Sequence, residues 1–403
     1  MKVRSSCLCC QNKKLEKIIN LGKHSFADRF IKLKNIRKKD PVYPLVVDKC
    51  RLCSYIQLRY VTKPEQRYSE VDYSYTSSNS AYSRNHWDTF CEKVHHYVKK
   101  KKFKKILEIG SNDGYLSINF KKKKYTIICV DASKFMINLS KKKKLISEHL
   151  IFNYVNSKKL KKKYGKQELI IANNVFNHSD QPSSFLKGIK NIINKNGIFI
   201  FEQPYFSKSI IDFKFDQIYH EHISYFTIKN LNNLLKKNGF KIIKLDQNEY
   251  HGGSIRIYAT LSENLIQELN LSKILKKENM TGVNNTIFYK KFMNIIENKK
   301  KEINKKINNY IEKKYIICGI GAAAKANTLL SYFQLNHNKL NFITDNSKYK
   351  INKYTPLTRI EILNDNIIKG FDKIACIILA WNIRGLLKKK IYKINNKVKF
   401  LDI

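Results

Sequence analysis

Arginine is scarce in this 403-residue chain. Only 10 of its 78 basic residues are Arg, against 32 Asp and Glu, so a formal net charge of +46 rests almost entirely on Lys. Such a charge invites a nucleic-acid partner, but readers of bases and phosphates rely on the rigid bidentate fork of Arg, often beside stacked aromatics. The lysines instead fall in short runs at 99–102, 121–124, 141–144 and 161–163, alongside heavy Asn and Ile usage. That pattern is a compositional bias absorbed by solvated faces. No specific nucleic-acid partner is expected, and attraction to an anionic ligand or surface is a secondary consequence. Long apolar runs are also lacking: none approaches the roughly 20 residues needed to cross a bilayer, so membrane insertion is not expected. The first residues, from Met1 to Cys7, contain no hydrophobic signal region, which makes the expected location cytoplasmic. In that reducing setting the nine Cys are thiols or metal ligands rather than a disulfide framework. Missing too are H-E-x-x-H, which a helical two-histidine zinc site needs, and G-x-G-x-x-G, which cradles a dinucleotide pyrophosphate.

What is present divides the chain into units with their own cores, as 43% hydrophobic content allows. Cys7-Leu-Cys-Cys10 and Cys50-Arg-Leu-Cys53 are two C-x-x-C knuckles. Each sets two thiolates on one side of a tight turn, and the pair completes a tetrahedral four-thiolate site for a structural Zn2+. Cys9 leaves a C-x-C alternative in the first knuckle, but Cys7 and Cys10 share the spacing of the second. A helix is expected from about Ser80 to Tyr97. After it, a short apolar strand, a turn bearing Gly110 and Gly114, and a second strand ending in Asp131 form the unit that wraps a ribose in a doubly wound sheet. Strand patterns recur at 169–172, 197–201, 240–245 and 255–261, with a helix over 183–194. A Lys- and Asn-rich helical stretch covers about 264–313. Strand, glycine turn and small-residue helix then return at 315–330, followed by strands at 340–344 and 375–380, with Asp345 ending the first of these.

The chemistry concentrates in Tyr219-His-Glu-His222, set among apolar and aromatic neighbours. An imidazole titrates near neutral pH, a carboxylate can orient it or hold its charge, and a phenol can donate to a developing oxyanion. Proton abstraction has its parts here. A half-buried strand or loop with hydrogen-bonded histidines fits the same residues.

Glu108-Ile-Gly-Ser-Asn-Asp-Gly114 resembles the first motif of a class I S-adenosylmethionine (SAM) methyltransferase, which shifts the cofactor from NAD to SAM. With it, the blocks Asn174-Val-Phe-Asn-His178, Phe215-Asp-Gln-Ile-Tyr-His-Glu-His222, His251-Gly-Gly-Ser-Ile-Arg256, Gly321-Ala-Ala-Ala-Lys-Ala-Asn-Thr-Leu-Leu330 and Leu379-Ala-Trp-Asn382 give the whole chain a resemblance to the C-methyltransferases of nucleotide-linked keto-deoxysugars. The resemblance implies an α/β architecture: a zinc domain over 1–65, a Rossmann-like methyltransferase sheet within 66–262, a helical connector over 263–314 and a C-terminal Rossmann-like domain over 315–403. It implies His222 as general base, Glu221 as its orienting or polarising partner, and Tyr219 and His178 lining the sugar. A Tyr ahead of the methyltransferase domain also reaches the site; Tyr73 and Tyr75 both fit, with Tyr73 preferred. Glu108, Gly110, Asn112, Gly114, Asp131 and Asn174 are the expected SAM contacts. The expected partner is a nucleotide-linked sugar, and the expected state a monomer or weak homodimer. Burial of His222 and the charge of Glu221 pull its pKa in opposite directions, so a value near working pH is expected. Two departures stand out: 348–357 lacks the glycines usual there, and His24 replaces a common Pro.

Overall fold

The computed structural model describes residues 1–68 and 76–402. At the N-terminus, strand Leu15–His24 pairs antiparallel with Tyr43–Cys50, which pairs with Ile56–Leu58. Each cysteine knuckle is a tight turn closed onto its first Cys: Gln11 N–H donates to the Cys7 carbonyl at 2.9 Å, and Ser54 N–H to the Cys50 carbonyl at 3.0 Å. Gln11 and Ser54 take left-handed backbone, φ 64° and 60°, the conformation that lets each turn reverse sharply.

The central sheet has seven strands in the order Lys241–Asn248, Ser254–Thr260, Ile193–Pro204, Gln167–Ile171, Lys105–Ile109, Thr126–Asp131, Ile146–His149. All neighbours are parallel except those of Ser254–Thr260, which runs antiparallel to both. This is a doubly wound sheet, with its ligand edge where the strand order reverses beside Lys105–Ile109. The preceding helix Ala81–Lys99 starts where the sequence places it, because Ser80 accepts from Ser83 N–H, and it turns Trp87, Phe90, Val94 and Val98 inward.

The connector resolves into helices Leu271–Met280 and Thr286–Glu312, the second burying Tyr289, Phe292, Ile296, Ile303 and Ile307. Five parallel strands follow in the order Ile362–Leu363, Phe342–Thr344, Ile316–Ile320, Ile374–Ile378, Lys399–Leu401, a second Rossmann-like sheet. The glycines absent from 348–357 are replaced in conformation as well as position: Asn352 and Leu357 adopt φ 63° and 59°. Leu357 is held there by Asp40, whose carboxylate accepts its N–H at 2.7 Å. His24 is buried, with its Nε2 donating to the Leu21 carbonyl at 2.8 Å.

The three sheets are stitched together. Ser224–Tyr225, in the central part of the sequence, pairs with Ile56–Gln57 and becomes the fourth strand of the N-terminal sheet. Lys353–Tyr354 of the C-terminal part pairs with Ile31–Lys32.

Candidate active site and zinc centre

The sulfurs of Cys7, Cys10, Cys50 and Cys53 all lie within 4.8 Å of one another. Cys7–Cys53 and Cys10–Cys50 are each 3.5 Å apart. A tetrahedral Zn2+ with bonds near 2.3 Å sets its sulfurs about 3.8 Å apart, so this cluster fits the ion with little adjustment. Cys9 stays outside the four-sulfur group and instead directs its N–H at the Cys7 sulfur, 3.4 Å away. The four sulfurs brought together are those of the two C-x-x-C knuckles.

At the switch point of the central sheet lies a cleft of about 810 Å³, lined by Gly110, Asn112, Asp131, Asn174, His178 and Arg67 among others. Gly110 has φ 72°, and a Cβ there would come within 2.9 Å of Val175; only glycine keeps this floor open. Gly114, φ 75°, caps the helix Tyr115–Lys122. A Cβ on it would strike Leu145 at 2.5 Å. Asp131 accepts the N–H of Asn112 at 2.9 Å and of Ser133 at 2.8 Å, and burial raises its pKa against those bonds. Glu108 is buried beneath the turn, bonded by the Ser117 hydroxyl, and burial pushes it up to about 8. Asn112 adopts φ 51° and its side-chain amide oxygen accepts Ser77 N–H at 2.8 Å. Asn174, φ 52°, faces the same cleft from the next strand end. A concave glycine floor, a buried carboxylate and a continuous passage to His178 suit a nucleoside-bearing cofactor.

His178 ends the 3-10 turn Phe176–His178, and its ring lies 5.0 Å from that of His222. The two segments are joined by Ile223 N–H donating to the Asn177 carbonyl at 2.9 Å. His222 is held at both nitrogens. Nδ1 is 2.8 Å from the Gln217 carbonyl, which can only accept, so the ring carries its proton on Nδ1. Nε2 is therefore the basic nitrogen, and the Tyr219 hydroxyl donates to it at 2.7 Å.

Burial lowers the His222 pKa to about 4 and that of His178 well below 6.5, leaving both neutral. The balance with Glu221 expected from the sequence does not arise: burial dominates, and what opposes it is the hydrogen bond to the Gln217 carbonyl rather than the charge of Glu221. Glu221 turns toward the N-terminal domain, where Asp28 N–H reaches its Oε1 at 3.5 Å. Burial and the nearby Asp28 carboxylate push it up to about 7, opposed by the charge of Arg67. His220 points the same way, edge-on to Phe26 and Tyr43. Tyr73 and Tyr75 lie outside the described residues.

Three groups escaped the sequence reading. Arg67, buried in the helix Pro64–Tyr68, forms an ion pair with Asp180 at the cleft. Glu202 is fully buried and receives Arg256 at 2.8 Å and His86 at 2.6 Å. The third is the Gln217 carbonyl, a backbone group with no side-chain signature. Arg scarcity itself was the usable signal for the first two. Arg51, Arg59, Arg67, Arg256, Arg359 and Arg384 all pair with carboxylates, and of these Arg67 and Arg256 are buried.

Three family models account for the chain in order: a zinc binding domain over 7–68, a methyltransferase domain over 83–245 and a C-methyltransferase C-terminal domain over 249–401. Over nearly its whole length the chain is similar to C-methyltransferases. It is a SAM-dependent methyltransferase with a zinc-binding N-terminal domain. One relative is the C-methyltransferase NovU of Streptomyces niveus, 22% identical over 398 residues that cover 98% of this chain and 93% of NovU. Among solved structures, the PH0226 protein of Pyrococcus horikoshii shares 17% identity with a TM-score of 0.38, covering 46% of this chain and 94% of that one. A SAM-dependent methyltransferase from Clostridium acetobutylicum shares 17% with a TM-score of 0.36 over 46% and 94%.

Proposed function

We propose that this enzyme methylates a carbon of a nucleotide-linked keto-deoxysugar through an enolate formed by His222. The observation that carries the reading is the state of that imidazole: neutral, with Nδ1–H fixed by a carbonyl and Nε2 left as an acceptor beside the cofactor cleft. A ketone acidifies the adjacent C–H. His222 Nε2 takes that proton once substrate displaces the Tyr219 hydroxyl, and the electron pair moves onto the carbonyl oxygen. Tyr219 and His178 are the described groups placed to hold the resulting oxyanion, with Tyr73 assigned to the same task from the sequence. Gly110, Asn112, Gly114 and Asn174 would hold SAM, with Asp131 available to its ribose and Glu108 supporting the turn from beneath; bound there, SAM would supply an electrophilic methyl group to the enolate carbon, with the sulfur leaving as the neutral thioether. Glu221 serves as a support of the His222 segment against Asp28 rather than as a partner of the ring.

The test is to supply SAM with a panel of nucleotide-linked ketosugars and determine the product by mass spectrometry and NMR. A new C–CH3 group, with solvent deuterium entering the same carbon before methylation, supports the reading. Methylation on oxygen or nitrogen sinks it.

A further inference from the structure

The base-bearing segment is seated on the C-terminal domain residue by residue. The Phe215 ring packs 5.3 Å from Phe333. The Asp216 carboxylate, 1% exposed, accepts the Trp381 indole N–H at 2.6 Å. The Ile218 carbonyl accepts the Thr328 hydroxyl at 3.0 Å. Between these two anchored residues stands Gln217, whose carbonyl receives His222 Nδ1–H and whose side-chain amide donates to the His251 carbonyl at 2.8 Å. Trp381 is itself immobilised. Lys325 sits 3.5 Å from its ring centroid and donates to Asn382 at 2.8 Å, while Gly252 lies so close that a Cβ there would meet the indole at 2.0 Å.

The peptide plane that carries the Gln217 carbonyl is tied through its own Ile218 N–H to the Phe215 carbonyl at 2.9 Å, and the residues that flank it are each anchored to the C-terminal domain. We infer that Trp381 and Thr328 of the C-terminal domain are positioning residues for the reaction, which aim the Gln217 carbonyl and thereby set the tautomer and orientation of His222. This rests on His222 as the base. The C-terminal domain thus reaches the chemistry without touching substrate, by the route through which second-layer partners orient ligands and bases elsewhere.

Trp381→Phe keeps the ring and removes the N–H; Thr328→Val keeps the shape and removes the hydroxyl. With a nucleotide-linked 4-ketosugar, each is expected to lower kcat by about tenfold, the lower end of what losing an orienting partner costs. SAM affinity by calorimetry and zinc content should stay at wild-type levels. In 15N-histidine-labelled protein the His222 Nδ1–H signal should lose its protection from exchange, and Thr328→Ser, which retains the donor, should restore both rate and signal. Unchanged kcat in both variants, or a Thr328→Ser enzyme as slow as Thr328→Val, would overturn the inference. The two readings separate cleanly: if His222→Asn stops deuterium exchange while the two variants leave it intact, the base stands and the clamp falls. If His222→Asn leaves exchange intact, both fall.

Discussion

The two glycine turns of this protein are built alike and used differently. In the central domain Gly110 N–H donates to the Val130 carbonyl at 2.7 Å, and Asp131 accepts the N–H groups of Asn112 and Ser133. In the C-terminal domain Gly321 N–H donates to the Thr344 carbonyl at 2.7 Å, and Asp345 accepts those of Ala322 and Ser347, each at 2.8 Å. The first turn opens on the cleft. At the second, Gly321 lies against Ala380, which a Cβ would meet at 2.7 Å, and the buried Lys350 ammonium donates to the Ala322 carbonyl at 2.7 Å. Its helix, Ala326–Phe333, spends Asn327 and Thr328 on carbonyls of the N-terminal and central parts. Identical strand-turn-helix grammar therefore does not specify a ligand; what occupies the space above the turn does.

The largest effect that bears on this contrast is at the open end of the first cleft. His222→Asn should lower kcat by about 100- to 10,000-fold, the usual cost of losing a general base, with SAM affinity unchanged in calorimetry. Asp131→Ala should next weaken SAM binding by about tenfold or more, since a buried carboxylate bond to a ligand is worth about 1.5–3 kcal/mol. Asp345→Ala should leave SAM affinity alone and cost about 1 kcal/mol in denaturant unfolding, because two half-buried backbone hydrogen bonds lose their acceptor. Equal loss of SAM affinity in both variants would erase the distinction between the turns.

The pH response is smaller. His222 and His178 titrate below the ordinary 6.5 of imidazole because burial disfavours their charge. Protons then bind the unfolded chain preferentially, so these two groups support stability above about pH 6.5 and withdraw that support as pH falls toward 4. Thermal unfolding followed across that range should show the midpoint fall with acid. In His222→Asn the fall should be shallower.

Local chemistry was legible in the sequence and long-range pairing was not. The two knuckles, the Gly110 to Gly114 turn, the acid ending the next strand and the Ser80 helix start each depend on neighbours within a few residues, where spacing and residue type determine geometry. The bearing of Glu221 was missed because adjacency in a loop does not say which way two side chains turn, and here successive residues face different domains. Ser224–Tyr225 was invisible as a strand of the N-terminal sheet, since two residues carry no periodicity and their partner lies far back in the chain. Gln217 was invisible because its carbonyl acts, and every residue has one.

That short strand joins the metal to the chemistry. It begins two residues after His222, and Tyr55, just past Cys53, donates its hydroxyl to Ser224 at 2.7 Å while Leu58 N–H holds the Ile223 carbonyl at 2.9 Å. Stripping zinc with a chelator, or Cys53→Ser, should therefore abolish methyl transfer along with the N-terminal fold, and SAM affinity should fall with it because Arg67 of the same part lines the cleft. A chain that has not yet received its zinc would be inert, with no base assembled beside the cleft.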